Sequence, residues 1–423
     1  MRSFLAISFV AAFIIQPFEW IPIFGGVPFL EILILLIVAL TAALDPGRFL
    51  LFFKQQPTRY FILFILIAMF SNILNNTGGQ YAISITGASL GRTFLAYMVI
   101  TLGLISLANI RSALIITMLS CALVGILCIR LYYTGEGVGD GIGATVQQLN
   151  WRGGVQWLGD VEGSNNTALL LVTGFGLSIG LLFKTEKNFI RLLSIISCAL
   201  IIFAVLLTGS RGGFLGLIGV MALFTVLKYR IRVKKFIPYA IVLGVIVIMA
   251  IPSVSDRGLK DSSSNERVDL LYHGLNMVKE NPFFGVGHGQ FADNNPVRKV
   301  AHNIYLQKVA ETGLIGGSLF FLMFYAAIRN SNRFYEENKD NSVARNSAIS
   351  IWCGALGFAI CAFFLTANHY LPYIVLALMT ALSMAGGENT KISFAEIRRV
   401  LVVEILVVLL VYIAVNLYMM FLG

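Results

Sequence analysis

The chain has 423 residues, of which 57% are hydrophobic and 12% are charged, and its mean hydropathy is +0.82. A soluble protein carries about twice that charged fraction, so the composition excludes a soluble globular protein and indicates a polytopic membrane protein. The net charge of +10 does not predict a nucleic-acid partner, because membrane proteins collect Lys and Arg in cytoplasmic loops for insertion.

About 13 apolar segments succeed one another, most of them near the ~20 residues that a helix needs to cross the hydrocarbon core. Lipid cannot satisfy open backbone groups, so the spans must be helices. The first segment, 4–15, has the character of a signal sequence, but no small-residue cleavage site follows it, and we expect a retained span. The other segments are centred on Leu35, Ile65, Tyr97, Thr117, Thr173, Leu200, Gly219, Val245, Phe320, Leu356, Leu378 and Leu409.

The basic residues orient these spans. With the N-terminus in the cytoplasm, about 20 of the 31 Lys and Arg residues fall in inner loops and about eight in outer loops, as the positive-inside rule requires. The long outer loops are then 134–164 and 254–301. The sequence therefore predicts an all-α polytopic membrane protein with about 12–13 transmembrane helices and one large, partly helical outer loop.

The stretch 262–317 contains the longest polar interval and three of the four histidines. Ser263 and Glu266 form a capping box, so we predict a helix that begins there and carries Arg267 in its first turn. Its apolar residues share one face, which we expect to lie along the bilayer. The Asn281-Pro282 pair ends this helix, because a proline disfavours helical geometry in the residue before it.

A glycine-rich turn follows. Gly285, Gly287 and Gly289 alternate with bulkier residues that include His288, and such a pattern allows tight turns and exposes backbone amides. Exposed amides bind anions, so we predict that Gly285, Gly287, His288 and Gly289 contact the substrate. His288 and His273 are also explained as ordinary polar side chains of the turn and the helix.

Two arginines are candidate phosphate ligands. Arg211 lies in a short outer connection between strongly apolar segments, where a charge is unfavourable unless it is partnered or hydrated. It either extends to lipid headgroups or grips a phosphate with its planar fork. The flanking glycines and the outer location favour the phosphate. Arg267 is either a phosphate ligand or a solvated loop arginine.

His302 and Asn303 stand where the next apolar helix begins. His302 either caps that helix or acts as a general base, because a neutral imidazole can take a proton from an attacking hydroxyl. The position beside a basic cluster at the membrane surface favours the base. We predict that Asn303 contacts the substrate.

We expect neither a metal nor another cofactor. Four histidines invite a zinc site, but HExxH and close Cys/His spacings are missing from the sequence. The five cysteines lie in apolar segments and are predicted to be core residues. Asp160 and Glu162 form an acidic pair of the kind that binds metal in some lipid-linked glycosyltransferases, which is a weak signal. GxxxxGK[ST] is also missing from the sequence, so a P-loop ATPase is not predicted.

Three stretches of the sequence resemble the bacterial O-antigen ligase and polymerase family. They are GSRGGFLGL at 209–217, ERVDLLYHGLNMVKENPFFGVGHGQF at 266–291 and AHNIYLQKVAETGLIGG at 301–317. The similar core runs over 165–385 and includes the periplasmic loop 254–301. It is preceded by N-terminal helices and the first long outer loop at 1–164, and followed by a cytoplasmic linker and a C-terminal helix at 386–423.

The resemblance implies a metal-independent, inverting transfer of a glycan from an undecaprenyl-diphosphate-linked donor, on the periplasmic side of the bacterial inner membrane. Arg211 and Arg267 would hold the diphosphate. His302 would activate the hydroxyl of a glycan, lipid A core or protein acceptor. The family's Asp-Pro-Asn sequence is matched only loosely by 162–166, so no role is carried over there.

Other functions stay open. Within the same family the chain is either a ligase, a repeat-unit polymerase or a protein O-oligosaccharyltransferase. A transporter or flippase of lipid-linked glycans is the alternative from another class. Transporters keep polar residues along the bundle interior and tend toward inverted repeats, whereas the polar residues here concentrate in outer loops.

The orientation predicts how introduced cysteines react. A cysteine at Ser262 should be labelled by an impermeant reagent applied to the outside of intact cells, and a cysteine at Tyr229 should not. Labelling only at Tyr229, or equal labelling at both positions, would reverse or reject this topology.

Overall fold

The computed structural model describes residues 1–17, 29–75, 80, 82–135, 154–157, 163–183, 186–229, 262–365, 370–387 and 392–421. Over these ranges the chain is helical and contains no β-sheet. The helices are α1 (Arg2–Ile15), α2 (Phe29–Leu44), α3 (Pro46–Lys54), α4 (Gln56–Leu74), α5 (Ala88–Gly103), α6 (Leu107–Thr134), α7 (Ser164–Ser178), α8 (Asn188–Leu207), α9 (Arg211–Tyr229), α10 (Ser262–Glu280), α11 (Ile304–Glu337), α12 (Ser342–Cys361), α13 (Leu371–Ala385) and α14 (Phe394–Phe421). A π-helix (Ala82–Gly87) precedes α5, and a 3-10 turn (Ile179–Leu182) continues α7.

Many of these helices are suited to a membrane. Within the described ranges, 7 are long and apolar enough to cross one, namely α4, α6, α7 with its 3-10 turn, α8, α9, α11 and α12. The helices α2 and α3 bend by 109° and count as one more span if they cross together, while α1, α5 and α13 are shorter apolar helices. The predicted all-α polytopic membrane protein is confirmed. Every predicted span centre falls in a helix except Val245, which lies outside the described residues.

Glycines bring α9 into close contact with its neighbours. A Cβ atom added at Gly212 would lie 3.0 Å from the Phe364 side chain, and one at Gly213 would lie 2.6 Å from Ala168. Small residues at such positions let membrane helices approach closely, and dispersion contacts then hold them together. The helix that carries Arg211 is therefore fixed against α7 and α12.

Two of the basic residues predicted to face the cytoplasm have partners within the bundle. Arg48 donates hydrogen bonds to the carbonyls of Thr101, Leu102 and Leu104 and so caps the C-terminal end of α5. Arg111 forms an ion pair with Glu186. These contacts give each charge a partner near the hydrocarbon boundary, where an isolated one is unfavourable.

Helix α10 differs from its prediction in register and environment. It begins at Ser262 rather than Ser263, so Arg267 lies in the second turn, and Glu266 forms an ion pair with Lys299 at 2.5 Å. Its apolar face packs against α11 and α14. The expectation that this face lies along the bilayer is therefore wrong. The resulting buried cluster consists of Leu270, Leu275, Met277, Val278, Val286, Phe291, Ala301, Leu306, Val309, Ala310 and Val415.

Helix α11 is broken at Gly313, which has φ 67° and ψ −178°. Only glycine adopts this conformation easily. The break frees backbone groups of α11, and the glycine turn (residues 281–291) bonds to them. We call this contact between the glycine turn and α11 the joint. Its backbone hydrogen bonds run from Val286 N–H to Ala310 O (3.0 Å), Gly287 N–H to Glu311 O (3.0 Å), Leu314 N–H to Pro282 O (2.8 Å) and Ile315 N–H to Phe283 O (3.4 Å).

The close packing at the joint predicts that replacing Gly285 with a residue that has a side chain destabilises the protein. A Cβ atom there would lie 2.5 Å from the Ala310 carbonyl oxygen, in a residue with φ +70°. Gly387 has a similar φ of +78° but nothing within 4 Å of an added Cβ. We expect Gly387→Ala to destabilise the protein by about 1–2 kcal/mol through its backbone conformation alone, and Gly285→Ala to lower Tm in detergent at least twice as far. Equal shifts in Tm would contradict the close approach.

Candidate functional site

His302 is held just before the start of α11 in an unusual backbone conformation. Its φ is +50°, in the left-handed region. Asn303 is the residue that caps the helix, because its side-chain oxygen accepts hydrogen bonds from the amides of Tyr305 and Leu306, both at 3.0 Å. The alternative in which His302 caps α11 is therefore wrong. Capping also occupies the amide oxygen of Asn303, whose contact with substrate stays a prediction.

Charged groups surround the half-buried His302. Burial is the largest cause that lowers the pKa of its imidazole, and the positive charge of Arg267 lowers it further. Lys299 acts in the same direction, while Glu266 opposes it. Arg267 therefore acts on His302 through its charge, and burial together with that charge favours the neutral imidazole that a general base requires.

Arg211 is the first residue of α9, and its position is fixed by the residue before it. The Ser210 hydroxyl accepts the Gly213 amide at 3.2 Å, as a helix cap does, and donates to the side-chain oxygen of Asn165 at 2.7 Å. Asn165 lies in the first turn of α7. The starts of α7 and α9 therefore meet, and the partial positive charges of two helix N-termini add to that of the guanidinium.

One turn at the end of α12 connects the surroundings of Arg211 with those of His302. The thiol of Cys361 donates to the Gly212 carbonyl at 3.4 Å, and the next carbonyl, of Ala362, accepts the Ile304 amide at 3.1 Å. Gly212 follows Arg211, and Ile304 is two residues beyond His302. Residues that closely follow Arg211 and His302 in the chain therefore bond to the same turn.

The glycine turn does not offer the array of amides that its sequence predicts. The Gly285 amide donates to Asn281 and the Gly287 amide to Glu311, both at 3.0 Å. The Gly287 amide thus bonds to α11 and the Gly285 amide bonds within the turn, and the predicted contacts of both residues with substrate stay predictions. Gly289 is exposed, and its contact with substrate stays a prediction.

His288 faces the helix bundle. Its Nδ1 atom lies 3.3 Å from Glu311 Oε2, and its ring meets Phe64 edge-on at 6.4 Å between centroids. Burial first, and then Lys308, lower the pKa of this imidazole, while Glu311 opposes them. His288 therefore belongs to the joint, and its predicted contact with substrate has no support in this geometry.

Polar residues at the end of α4, which the sequence analysis missed, hold the glycine turn. Ser71 donates to the Phe284 carbonyl at 2.5 Å, Asn72 to the His288 carbonyl at 3.1 Å and Asn75 to the Gly285 carbonyl at 2.9 Å. The sequence feature that could have identified them is Ser-Asn-x-x-Asn at the end of an apolar span, because polar side chains buried there require partners.

The predicted absence of a metal site is tested only in part by the described residues. In the parts of the chain that the structure describes, no three His, Cys, Asp or Glu side chains gather as metal ligands. Asp160 and Glu162 lie outside the described residues, so metal independence stays a prediction. All five cysteines are buried and free, as expected for core residues.

Residues 196–321 match the family model described as O-antigen ligase. This segment includes Arg211, Arg267, the glycine turn and His302. Among curated proteins, none matches the chain. The match supports glycosyl transfer of the O-antigen ligase or polymerase kind in a multi-pass bacterial membrane protein, and it leaves the predicted ends of the core at 165 and 385 as predictions.

The charges around His302 predict opposite shifts of its pKa. Arg267→Gln removes a charge that lowers the pKa, so the pKa should rise and the neutral imidazole should be lost at a higher pH as the solution is acidified. Glu266→Gln removes a charge that raises the pKa, so the loss should move to lower pH. The rate of diethyl pyrocarbonate modification of His302 against pH, followed by peptide mapping, measures both shifts.

The control is Arg298→Gln, which removes an exposed charge and which we expect to leave the pKa of His302 unchanged. Shifts of the same sign in the Arg267 and Glu266 variants would contradict the arrangement of charges described here.

Proposed function

We propose that the chain transfers a glycan from an undecaprenyl-diphosphate donor to an acceptor hydroxyl at the periplasmic face of the bacterial inner membrane. The observation that carries the proposal is the match of residues 196–321, which include Arg211, Arg267 and His302, to the O-antigen ligase family model. The influence of Arg267 on the pKa of His302 and the hydrogen bonds of Gly212 and Ile304 to one turn of α12 support it, because two cations and a neutral base are the groups that such a transfer needs.

The proposed reaction is a single displacement. His302 takes the proton from the acceptor hydroxyl as its oxygen forms a bond to the anomeric carbon of the donor sugar. The bond from that carbon to the diphosphate oxygen breaks, and undecaprenyl diphosphate leaves with the electron pair. Because the oxygen attacks from the face opposite the leaving group, the anomeric configuration inverts.

The departing diphosphate gains negative charge, and this charge determines what the site must supply. Arg211 and Arg267 can each offer a planar pair of N–H donors to phosphate oxygens. The N-termini of α7 and α9 add partial positive charge next to Arg211. In the proposed mechanism these groups stabilise the developing charge without reorganising, which is the main source of catalysis in many enzymes. No metal ion or other cofactor is required in this scheme.

The acceptor is proposed only by class, as a lipid A core sugar, another glycan repeat unit or a protein hydroxyl. All three present the same chemical group to His302. The lipid bilayer supplies the donor laterally, and this explains why the site lies at helix ends rather than in a soluble domain.

Conservative replacements separate the proposed roles. Lysine keeps the charge of arginine but loses the two-pronged geometry, so Arg211→Lys and Arg267→Lys should weaken both donor binding and turnover. His302→Ala should lower turnover by about 10²–10⁴-fold while donor binding stays nearly unchanged, because a general base acts mainly in the transition state. The measurement uses purified protein in detergent with a lipid-linked donor, and EDTA present throughout.

Arg298→Lys is the matched control, since it alters an exposed arginine between α10 and α11, and it should leave binding and turnover unchanged. If His302→Ala retained near-native turnover, or if both arginine variants behaved like Arg298→Lys, the proposed mechanism would be wrong.

A further inference from the structure

We propose that Gln307 is a positioning residue for His302, and that Glu311 anchors Gln307 in this role. The inference rests on the proposed function, because it assigns Gln307 a task only if His302 is the base. It concerns polar groups that the transfer mechanism above does not use, all on the first two turns of α11.

Gln307 connects the base to the interior of the bundle. Its Oε1 atom accepts the Ala301 amide at 3.3 Å, and its Nε2 atom donates to Glu311 Oε1 at 2.6 Å. Ala301 precedes His302 directly. The Gln307 side chain is 1% exposed, so these contacts are made away from water, where hydrogen bonds hold geometry firmly.

Glu311 is fixed from several directions. Its carboxylate lies 3.6 Å from Lys308 Nζ and 3.3 Å from His288 Nδ1, and its side chain is 1% exposed. Its backbone carbonyl accepts hydrogen bonds from the Gly287 amide at 3.0 Å and the Ser71 hydroxyl at 3.0 Å. The anchor of Gln307 is therefore tied to α4, to the glycine turn and to α11 itself.

The backbone of His302 requires such support. A left-handed conformation is unfavourable for a residue with a side chain and persists only where its neighbours determine it. Gln307 fixes Ala301 on one side. On the other side, Asn303 caps α11 and the Ile304 amide donates to Ala362. Holding both flanking residues sets the direction in which the imidazole leaves the backbone.

The experiment compares two identical substitutions. Gln307→Met keeps the size of the side chain and removes both hydrogen bonds. Gln55→Met makes the same change at a fully buried glutamine whose side-chain amide makes no hydrogen bond with the described residues. A displacement of about 1 Å at a catalytic group costs about 100-fold in rate. We therefore expect Gln307→Met to lower turnover about 10- to 100-fold with nearly unchanged donor KM, and Gln55→Met to have little effect.

A double-mutant cycle distinguishes positioning from a purely structural role. In a His302→Ala background the base is gone, so adding Gln307→Met should change the residual turnover by less than about twofold. If the two losses multiply, Gln307 supports the fold and does not position His302, and the inference is overturned while the proposed function stands. If His302→Ala alone has no effect, the proposed function and this inference both fall.

Gln307→Asn provides a second variant in case the methionine variant does not fold. It keeps a polar amide but is one methylene shorter, so it cannot reach both the Ala301 amide and Glu311. We expect turnover between that of the unaltered protein and that of Gln307→Met, with the same lack of additivity to His302→Ala. Full turnover in Gln307→Asn, or a loss that multiplies with that of His302→Ala, would reject the role of Glu311 and Gln307 as a connected pair.

Discussion

The candidate site depends on the break in α11 at Gly313. An unbroken helix would use its own carbonyls and amides, whereas the break leaves the groups on both sides of Gly313 without helical partners. Inside a membrane protein such groups must find partners within the chain, because lipid offers none. The glycine turn supplies them through the backbone hydrogen bonds of the joint, so the outer segment is fixed to the bundle. A sequence at 281–291 that could not approach α11 this closely would leave backbone N–H and C=O groups of both elements without hydrogen-bond partners.

The buried charges at the joint follow from the same constraint. Lys308, Glu311 and His288 are nearly excluded from solvent, and an isolated charge there would be strongly unfavourable. Lys308 and Glu311 balance one another, while burial and Lys308 keep the pKa of His288 low and favour its neutral form. This polar group extends through Gln307 to the residue next to His302. The conformation of the proposed base therefore depends on packing deep in the bundle, beyond the surface loop that carries it.

Local signals in the sequence were sufficient for much of this architecture. Apolar length predicted the helices, and Asn281-Pro282 predicted the end of α10 at Glu280. Gly285 and Gly287 were recognised as turn residues, but their amides were assigned to a ligand. A sequence does not reveal that a distant helix is broken and accepts hydrogen bonds from the Val286 and Gly287 amides. The hydrogen bond between Ser210 and Asn165 was missed for the same reason, since it joins helix starts that are 45 residues apart. The packing of α10 against α14 was also beyond local reading, because an amphipathic face fits a bilayer and a neighbouring helix equally well.

The central claim is that this membrane protein forms a glycosidic bond rather than moving its donor across the bilayer. The direct measurement uses the purified protein in liposomes with a lipid-linked glycan, a panel of hydroxyl acceptors and EDTA, and follows both the products and the side of the membrane on which the glycan lies. We predict a new bond of inverted anomeric configuration, formed together with an equal amount of undecaprenyl diphosphate, and we expect His302→Ala to form it about 10²–10⁴-fold more slowly. Intact donor crossing the bilayer without any bond transfer would contradict the account.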